Sequence, residues 1–157
     1  MPHAVVEEPS MTSLRLAEAF LERAGDRLEA LRSLRQEADF SDVIRESRDI
    51  VELCLRGMLR VAGIEVARWL DVGQVFEESA SRLPPEVKSQ KDRILEIHRD
   101  LSRDRQIAHA EEAGLPIEKL LAADADRAIA EAEWVLELTQ TAIEATARRR
   151  VPTSPGR

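Results

Sequence analysis

The sequence predicts an all-α fold, an up-and-down helical bundle of four long helices plus one short helix, and three observations carry that expectation. Ala, Leu, Glu and Arg dominate, while aromatic residues make up 3% and glycine only 6 of the 157 residues, a composition that suits helices better than strands. Apolar residues recur at steps of three and four over long stretches, the period of a helix that buries one face. No run of Val, Ile, Thr and aromatic residues between turn formers reads as a strand. The length fits one domain with a substantial core. A disordered N-terminal tail is expected over 1–11, the helical domain over 12–147 and a disordered C-terminal tail over 148–157.

The first helix is expected over about 12–37, where Leu14, Ala17, Leu21, Ala24, Leu28 and Leu31 form one stripe before "EADFS" interrupts it. The second, about 41–62, carries the strongest stripe: Val43/Ile44, Ser47, Ile50/Val51, Cys54/Leu55 and Met58/Leu59. Gly63 follows as a C-terminal glycine should. A short helix, about 72–82, stops at "LPPE", where Pro84 and Pro85 force a new start. The fourth helix is expected to run unbroken over about 86–112 until "AGLP" ends it. The fifth is expected from Asp124, as N-cap, to about 148. Its inner face is small (Ala125, Ala128, Ala132, Thr139, Ala142), which lets helix axes approach closely. Arg148, Arg149 and Arg150 complement the negative end of that helix.

A formal net charge of −7 argues against indiscriminate binding along a nucleic-acid backbone, which needs a broad basic surface. One helical segment departs from that balance. From Lys88 to Arg105 there are six Lys or Arg against four acids. The single cysteine, Cys54, excludes an internal disulfide and suits a reducing cytoplasm. It lies on an apolar stripe and reads as a small core residue. The opening "MPHAVVEEPSMT" has no apolar run and is not read as a signal peptide. No stretch of about 18 uncharged apolar residues suggests a membrane span.

The segment "SRDRQIAH", 102–109, holds the candidate chemistry. At about 100° per residue, Val87, Ile94, Ile97, Leu101 and Ala108 share one sector of the expected fourth helix. His98, Ser102, Arg105 and His109 follow at steps of four, three and four as a polar stripe beside it, a border position that suits a groove. Arg103 points away from both stripes, so Arg105 is the arginine that a straight helix pairs with His109. His98 and His109 lie roughly 16 Å apart along such a helix at 1.5 Å per residue. They cannot share an ion, and no metal or other cofactor is expected.

Arginine and histidine together suit phosphate chemistry without a metal. An imidazole titrates near neutrality and can carry a proton. A guanidinium holds two phosphate oxygens and steadies charge building in a transition state. On RNA the natural reaction is attack of a ribose 2′-hydroxyl on the adjacent phosphate. That reaction wants an acid and a base, and a two-fold dimer placing both copies of the fourth helix across one groove would bring two histidines together. His98, Arg99 and Ser102, on the same basic segment, are the expected phosphate or nucleotide contacts. The ordinary alternative is a solvated helix end, with His109 near the carbonyl dipole and Arg105 paired to an acid.

At this level the chain resembles the HEPN family of small helical proteins over about residues 12–147. The resemblance rests on "DFSDVIRESRDIVELCLRGMLRVAGIE", which looks like the family's second helix, followed in order by "DVG" at 71–73, "LPPE" at 83–86 and "DADRAIAEAEWVLEL" from Asp124. The resemblance implies a homodimer, and active members are metal-independent endoribonucleases, often toxins. Their signature is an arginine, a polar residue after it, and a histidine four to six residues further on. Arg103, Asp104 and His109 fit that wording, with five residues between arginine and histidine, whereas Arg105 leaves three. The resemblance thus selects Arg103, and the helix wheel selects Arg105. Some such toxins carry a tyrosine two residues after the histidine, modified by a nucleotidyltransferase partner. Glu111 stands there, and the chain has no tyrosine. Leu70 stands where many relatives have a histidine before the "DVG" aspartate. The family also includes non-catalytic members, so two functions follow as expectations. One is a cytoplasmic dimer binding RNA or a nucleotide, with weak endoribonuclease activity of the toxin–antitoxin kind and an antitoxin or nucleotidyltransferase-type partner. The other is a non-catalytic dimeric adaptor for a partner protein.

Overall fold

Twelve of the 22 residues of the second helix are buried, so the chain is organised around that helix. A computed structural model describes residues 4–37 and 39–150. In chain order they form strand β1 (Ala4–Val6), helices α1 (Met11–Leu34) and α2 (Phe40–Val61), strand β2 (Ile64–Val66), then α3 (Val72–Glu78), α4 (Pro85–Lys88), α5 (Lys91–Asp100), α6 (Arg103–Glu112) and α7 (Ala122–Arg150). Single 3₁₀ turns stand at Ala80–Arg82 and Ile117–Lys119. The all-α class holds, and no helix among the described residues is long and apolar enough to cross a membrane.

The expected stripes are the faces that pack. On α1, Leu14, Ala17, Ala24, Leu28 and Leu31 are buried and Leu21 is half-buried. On α2 the whole stripe from Val43 to Leu59 is buried, Cys54 included. Burial pushes the Cys54 thiol up to about 12, which makes it an inert core residue. α7 presents Ala125, Ala128, Ala132, Thr139 and Ala142, all buried. These small side chains let α7 close on α2 while α1 covers the other flank. Gly57 sits at that crossing, where an added Cβ would meet the Phe20 Cβ at 3.4 Å and the Ala17 carbonyl at 3.5 Å. The buried hydroxyls return to their own helices: Ser47 donates to the Val43 carbonyl at 2.8 Å and Thr139 to that of Val135 at 2.7 Å.

Several boundaries differ from the sequence expectation, each for a local reason. Residues 4–11, expected within the N-terminal tail, are ordered. β1 pairs antiparallel with β2 (Ala4 opposite Val66, Val6 opposite Ile64), and Ser10 caps α1 in a reciprocal capping box with Ser13. Residues 148–150, expected in the C-terminal tail, continue α7. Arg150 holds this end in place by donating to the carbonyls of Ser10 and Val61, each at 2.9 Å, and Arg149 pairs with Glu86 of α4 at 2.7 Å. The remainder of both expected tails, 1–3 and 151–157, lies outside the described residues. α7 begins at Ala122, not at Asp124. Asp124 sits within the first turn and its carboxylate accepts the Leu121 N–H at 3.3 Å. The short helix ends at Glu78 and closes with the 3₁₀ turn. The largest departure is the expected fourth helix, which divides into α4, α5 and α6.

Gly63 makes the β1–β2 pairing possible. Its φ of +78° is a left-handed value that disfavours side chains, and its carbonyl accepts the Glu7 N–H at 2.8 Å. A Cβ there would lie 2.2 Å from the Glu7 carbonyl oxygen. Gly63→Ala is therefore expected to destabilise the fold by about 1–2 kcal/mol in urea unfolding. It should also speed amide exchange of Glu7 and the β1 residues ahead of α1.

Candidate functional site

The division between α5 and α6 follows from Ser102. Leu101 ends α5, its N–H still donating to the Ile97 carbonyl at 3.1 Å. Ser102 then turns extended (φ −69°, ψ 152°), and its Oγ accepts the Arg105 N–H at 3.3 Å as the N-cap of α6. The side-chain amide of Gln106 donates back to the Asp100 carbonyl, satisfying an acceptor that the broken helix leaves open. Gln106 and Ala110 are the buried residues of α6, while Ala108, expected on the core stripe, is only half-buried. The polar stripe expected along one straight helix is thus cut in two.

Three grooves divide the candidate residues. Arg105 and His109, one turn apart on α6, line a cleft of about 190 Å³ closed by Asp124, Arg127 and Glu131 of α7 and by Glu96 and Asp100 of α5. Arg103 lines a separate groove of about 200 Å³, with Arg45 and Arg48 of α2. His98, Arg99, Ser102 and Asp104 border a third, of about 360 Å³, with Asp71 and Gly73. Six residues beyond Arg103, His109 lies about 120° from it around α6 at 100° per residue. The structure therefore brings Arg105 to His109, as the helix wheel requires, and turns Arg103 into a different groove.

His98 is a packing residue rather than a free phosphate contact. Its ring is wedged between α2 and α3, with the side chain 11% exposed and Nε2 at 3.1 Å from Oε1 of Glu52. On the other side the ring occupies the space a side chain at 73 would need, since a Cβ there would lie 2.7 Å from Nδ1. The hydrogen bond with His98 holds the Glu52 carboxyl below its ordinary range against the opposing effect of burial, and the charges of Arg48 and Arg56 add to it. Arg48 Nε stands 3.2 Å from the same carboxylate, but its N–H does not point along that line, so the contact is an ion pair without a hydrogen bond. Ser102 is engaged as a cap. Arg99, Arg103 and Asp104 are exposed.

The cleft beside His109 contains residues the sequence pattern did not single out. Arg127 and Glu131 lie one turn apart on α7 and flank its alanine stripe, which is the signal that could have found them. Half-burial raises the Glu131 carboxyl pKa, helped by the charges of Asp100 and Glu96 and opposed by Arg127 and Arg93. Both guanidiniums of the cleft have carboxylate partners: Arg105 and Asp100 at 3.6 Å, Arg127 and Asp124 at 2.9 Å. Four carboxylates against two arginines leave the cleft acidic. An imidazole, a protonatable carboxyl and a guanidinium nevertheless share one small space, the set that metal-free proton transfer at a phosphate needs. Among the described residues no three of His, Cys, Asp and Glu gather as a metal site would require.

The Glu52–His98 contact gives two expectations. A carboxyl whose folded pKa is depressed contributes stability that is present above its ordinary value of 4.5 and is lost as pH falls through the lower folded value. Glu52→Gln should therefore flatten the loss of stability on acidification below about pH 4.5, followed by thermal unfolding at successive pH values. Gly73→Ala should displace the His98 ring and destabilise by about 1–3 kcal/mol, the cost of overpacking.

A family model described as HEPN domain matches residues 17–142. Comparisons with curated proteins and with solved structures give no match. The matched span runs from the middle of the first turns of α1 to the last third of α7 and includes every residue of the three α6 grooves. The chain belongs to the HEPN domain family.

Proposed function

We propose that this chain is a dimeric HEPN protein that binds RNA or a nucleotide at the α6 cleft and cleaves RNA slowly without a metal. The observation that carries the reading is the shared cleft of Arg105, His109 and Glu131. In the reaction, the 2′-oxygen of a ribose attacks the neighbouring phosphorus and the bond to the 5′-oxygen of the next nucleotide breaks, leaving a cyclic phosphate. His109 takes the proton of the 2′-hydroxyl. Glu131, whose raised pKa favours the protonated form, returns one to the departing oxygen. Arg105, released from its long contact with Asp100, steadies the charge on the phosphoryl oxygens. A single copy is short of positive charge for this task. A second copy facing the cleft would add its own Arg103 and Arg105 and could contribute a second imidazole.

The surplus of carboxylates in the cleft favours a second reading, a non-catalytic dimeric adaptor whose acidic cleft takes basic side chains of a partner protein. An antitoxin or a nucleotidyltransferase-type protein is the partner that goes with the ribonuclease reading instead.

Incubation of the purified dimer with total RNA and excess EDTA separates the two. Wild type is expected to cut RNA, and His109→Ala to slow cutting by about 10²–10⁴-fold, the usual worth of a general acid or base. Sedimentation equilibrium is expected to give a dimer. Intact RNA in both samples, with RNA affinity that does not fall as salt rises, would leave the adaptor reading in place.

A further inference from the structure

A further groove, larger than the three beside α6, shares no lining residue with them. It lies between α1, α2 and the segment from β2 to Arg68, has a volume of about 510 Å³, and is bordered by Arg23, Arg56, Arg60 and Arg68. Glu65 is the single carboxylate of the lining and pairs with Arg60 at 3.0 Å. Among the described residues, Arg23, Arg56 and Arg68 meet no carboxylate within ion-pair distance. Glu52, whose pKa the charge of Arg56 helps to lower, is already engaged by His98 and Arg48. Three unneutralised guanidiniums in one groove stand out in a chain of net charge −7.

Two of these three arginines are also held in place, and Arg68 is exposed. Arg56 donates to the Val66 carbonyl at 2.8 Å, which fixes its guanidinium while leaving further N–H groups to donate. Arg23 lies over the Phe20 ring at 5.6 Å. Leu53, Ile64 and Phe20 give the groove an apolar floor. One residue beyond Arg68 stands Trp69, 86% exposed, the most exposed large apolar side chain among the described residues. A tryptophan left in water beside an arginine groove has no packing role to explain it. Indole faces and guanidiniums together recognise a phosphate ester that carries a planar ring.

We propose that this groove is a second binding site, for a nucleoside phosphate either free or as part of a single strand. The groove arginines hold the phosphate and Trp69 stacks on the base. The site stands on its own residues and does not depend on the reading of the α6 cleft.

The test uses the full chain and its intrinsic fluorescence. The chain has two tryptophans, and Trp134 lies half-buried under the Arg93 guanidinium at 3.9 Å. Trp134→Phe therefore leaves Trp69 as sole reporter. Titration with adenosine monophosphate and with a ten-residue oligoadenylate is expected to give saturable quenching that weakens as salt rises. Arg56→Ala with Arg68→Ala should raise the half-saturation concentration by about tenfold or more, since bonds to charged groups are among the strong ones. His109→Ala should leave the quenching intact. Equal affinity for both probes identifies a mononucleotide site, and tighter binding of the oligomer identifies a strand site. Inorganic phosphate should compete with either probe. Absence of quenching in protein whose circular dichroism is unchanged overturns the proposal. So does quenching that survives the double arginine variant, or that His109→Ala abolishes. A Trp69 emission already shifted to the blue without ligand, and reversed on dilution, would assign the face to a second copy of the chain and overturn it as well.

Discussion

The fold depends on the burial of α2 between α1 and α7, and that burial depends on how small the residues at the crossings are. Gly57 faces Phe20, Ala17 and Thr139, and α7 contributes a row of alanines where larger side chains would hold the axes apart. The close approach buries Ile50, Val51, Leu55, Met58 and Leu59 completely, each contributing roughly 1.5–3 kcal/mol through removal of apolar surface from water. Polar contacts at the edges tie these three helices to one another, while α3, α4 and α5 join them through buried apolar side chains such as Phe76, Val87 and Ile94. Arg27 of α1 bridges Glu46 and Asp49 of α2, Arg35 reaches Asp126 of α7, and Arg150 joins the end of α7 to both Ser10 and Val61.

That arrangement sets what α5 and α6 can do. Ile94, Ile97 and Leu101 anchor α5 in the core, and Arg93 lies over Trp134 of α7, so α5 is fixed along its length. α6 buries just Gln106 and Ala110. Redirection of the chain at Ser102 lets α6 border one cleft with the first turns of α7, Arg105 and His109 among its lining. Arginine and histidine side chains are thereby presented on a helix whose own burial is slight, while the acids that surround them come from the rigid elements α5 and α7.

Much of this was legible in the sequence, and the reasons for what was not are specific. The stripes of α1, α2 and α7 and the core position of Cys54 follow from a three-four rhythm that nothing interrupts. In the fourth stretch the same rhythm continues through Leu101, so Ser102 looks like a tolerated polar residue. Its capping role appears only once Gln106 can reach the Asp100 carbonyl, a contact between side chain and backbone that periodicity does not report. The β1–β2 pair is three residues long on each side and is made by Gly63 and by tertiary closure rather than by strand propensity. The wheel puts Arg105 beside His109, and the two share a cleft because both fall within α6, beyond the break. It failed for His98, because only the fold brings Glu52 and Gly73 to either side of that ring. Arg127 and Glu131 came from a helix read for packing alone.

The distribution of arginine gives the molecule two kinds of surface. In the α6 cleft each guanidinium has a carboxylate partner, so an incoming phosphate must compete with Asp100 or Asp124 for its donor. Desolvation beside Glu131 strengthens every charge in that small space, the repulsive ones included. Such a cleft offers an anion little net attraction from its own residues. In the groove beside β2 the order is reversed: three guanidiniums meet no carboxylate among the described residues, and the exposed Trp69 follows Arg68 in the chain. Capture and chemistry need not share an address. A surface that holds phosphate through unpaired arginines can raise the local concentration of a strand for a site whose own arginines are engaged until the substrate displaces their partners.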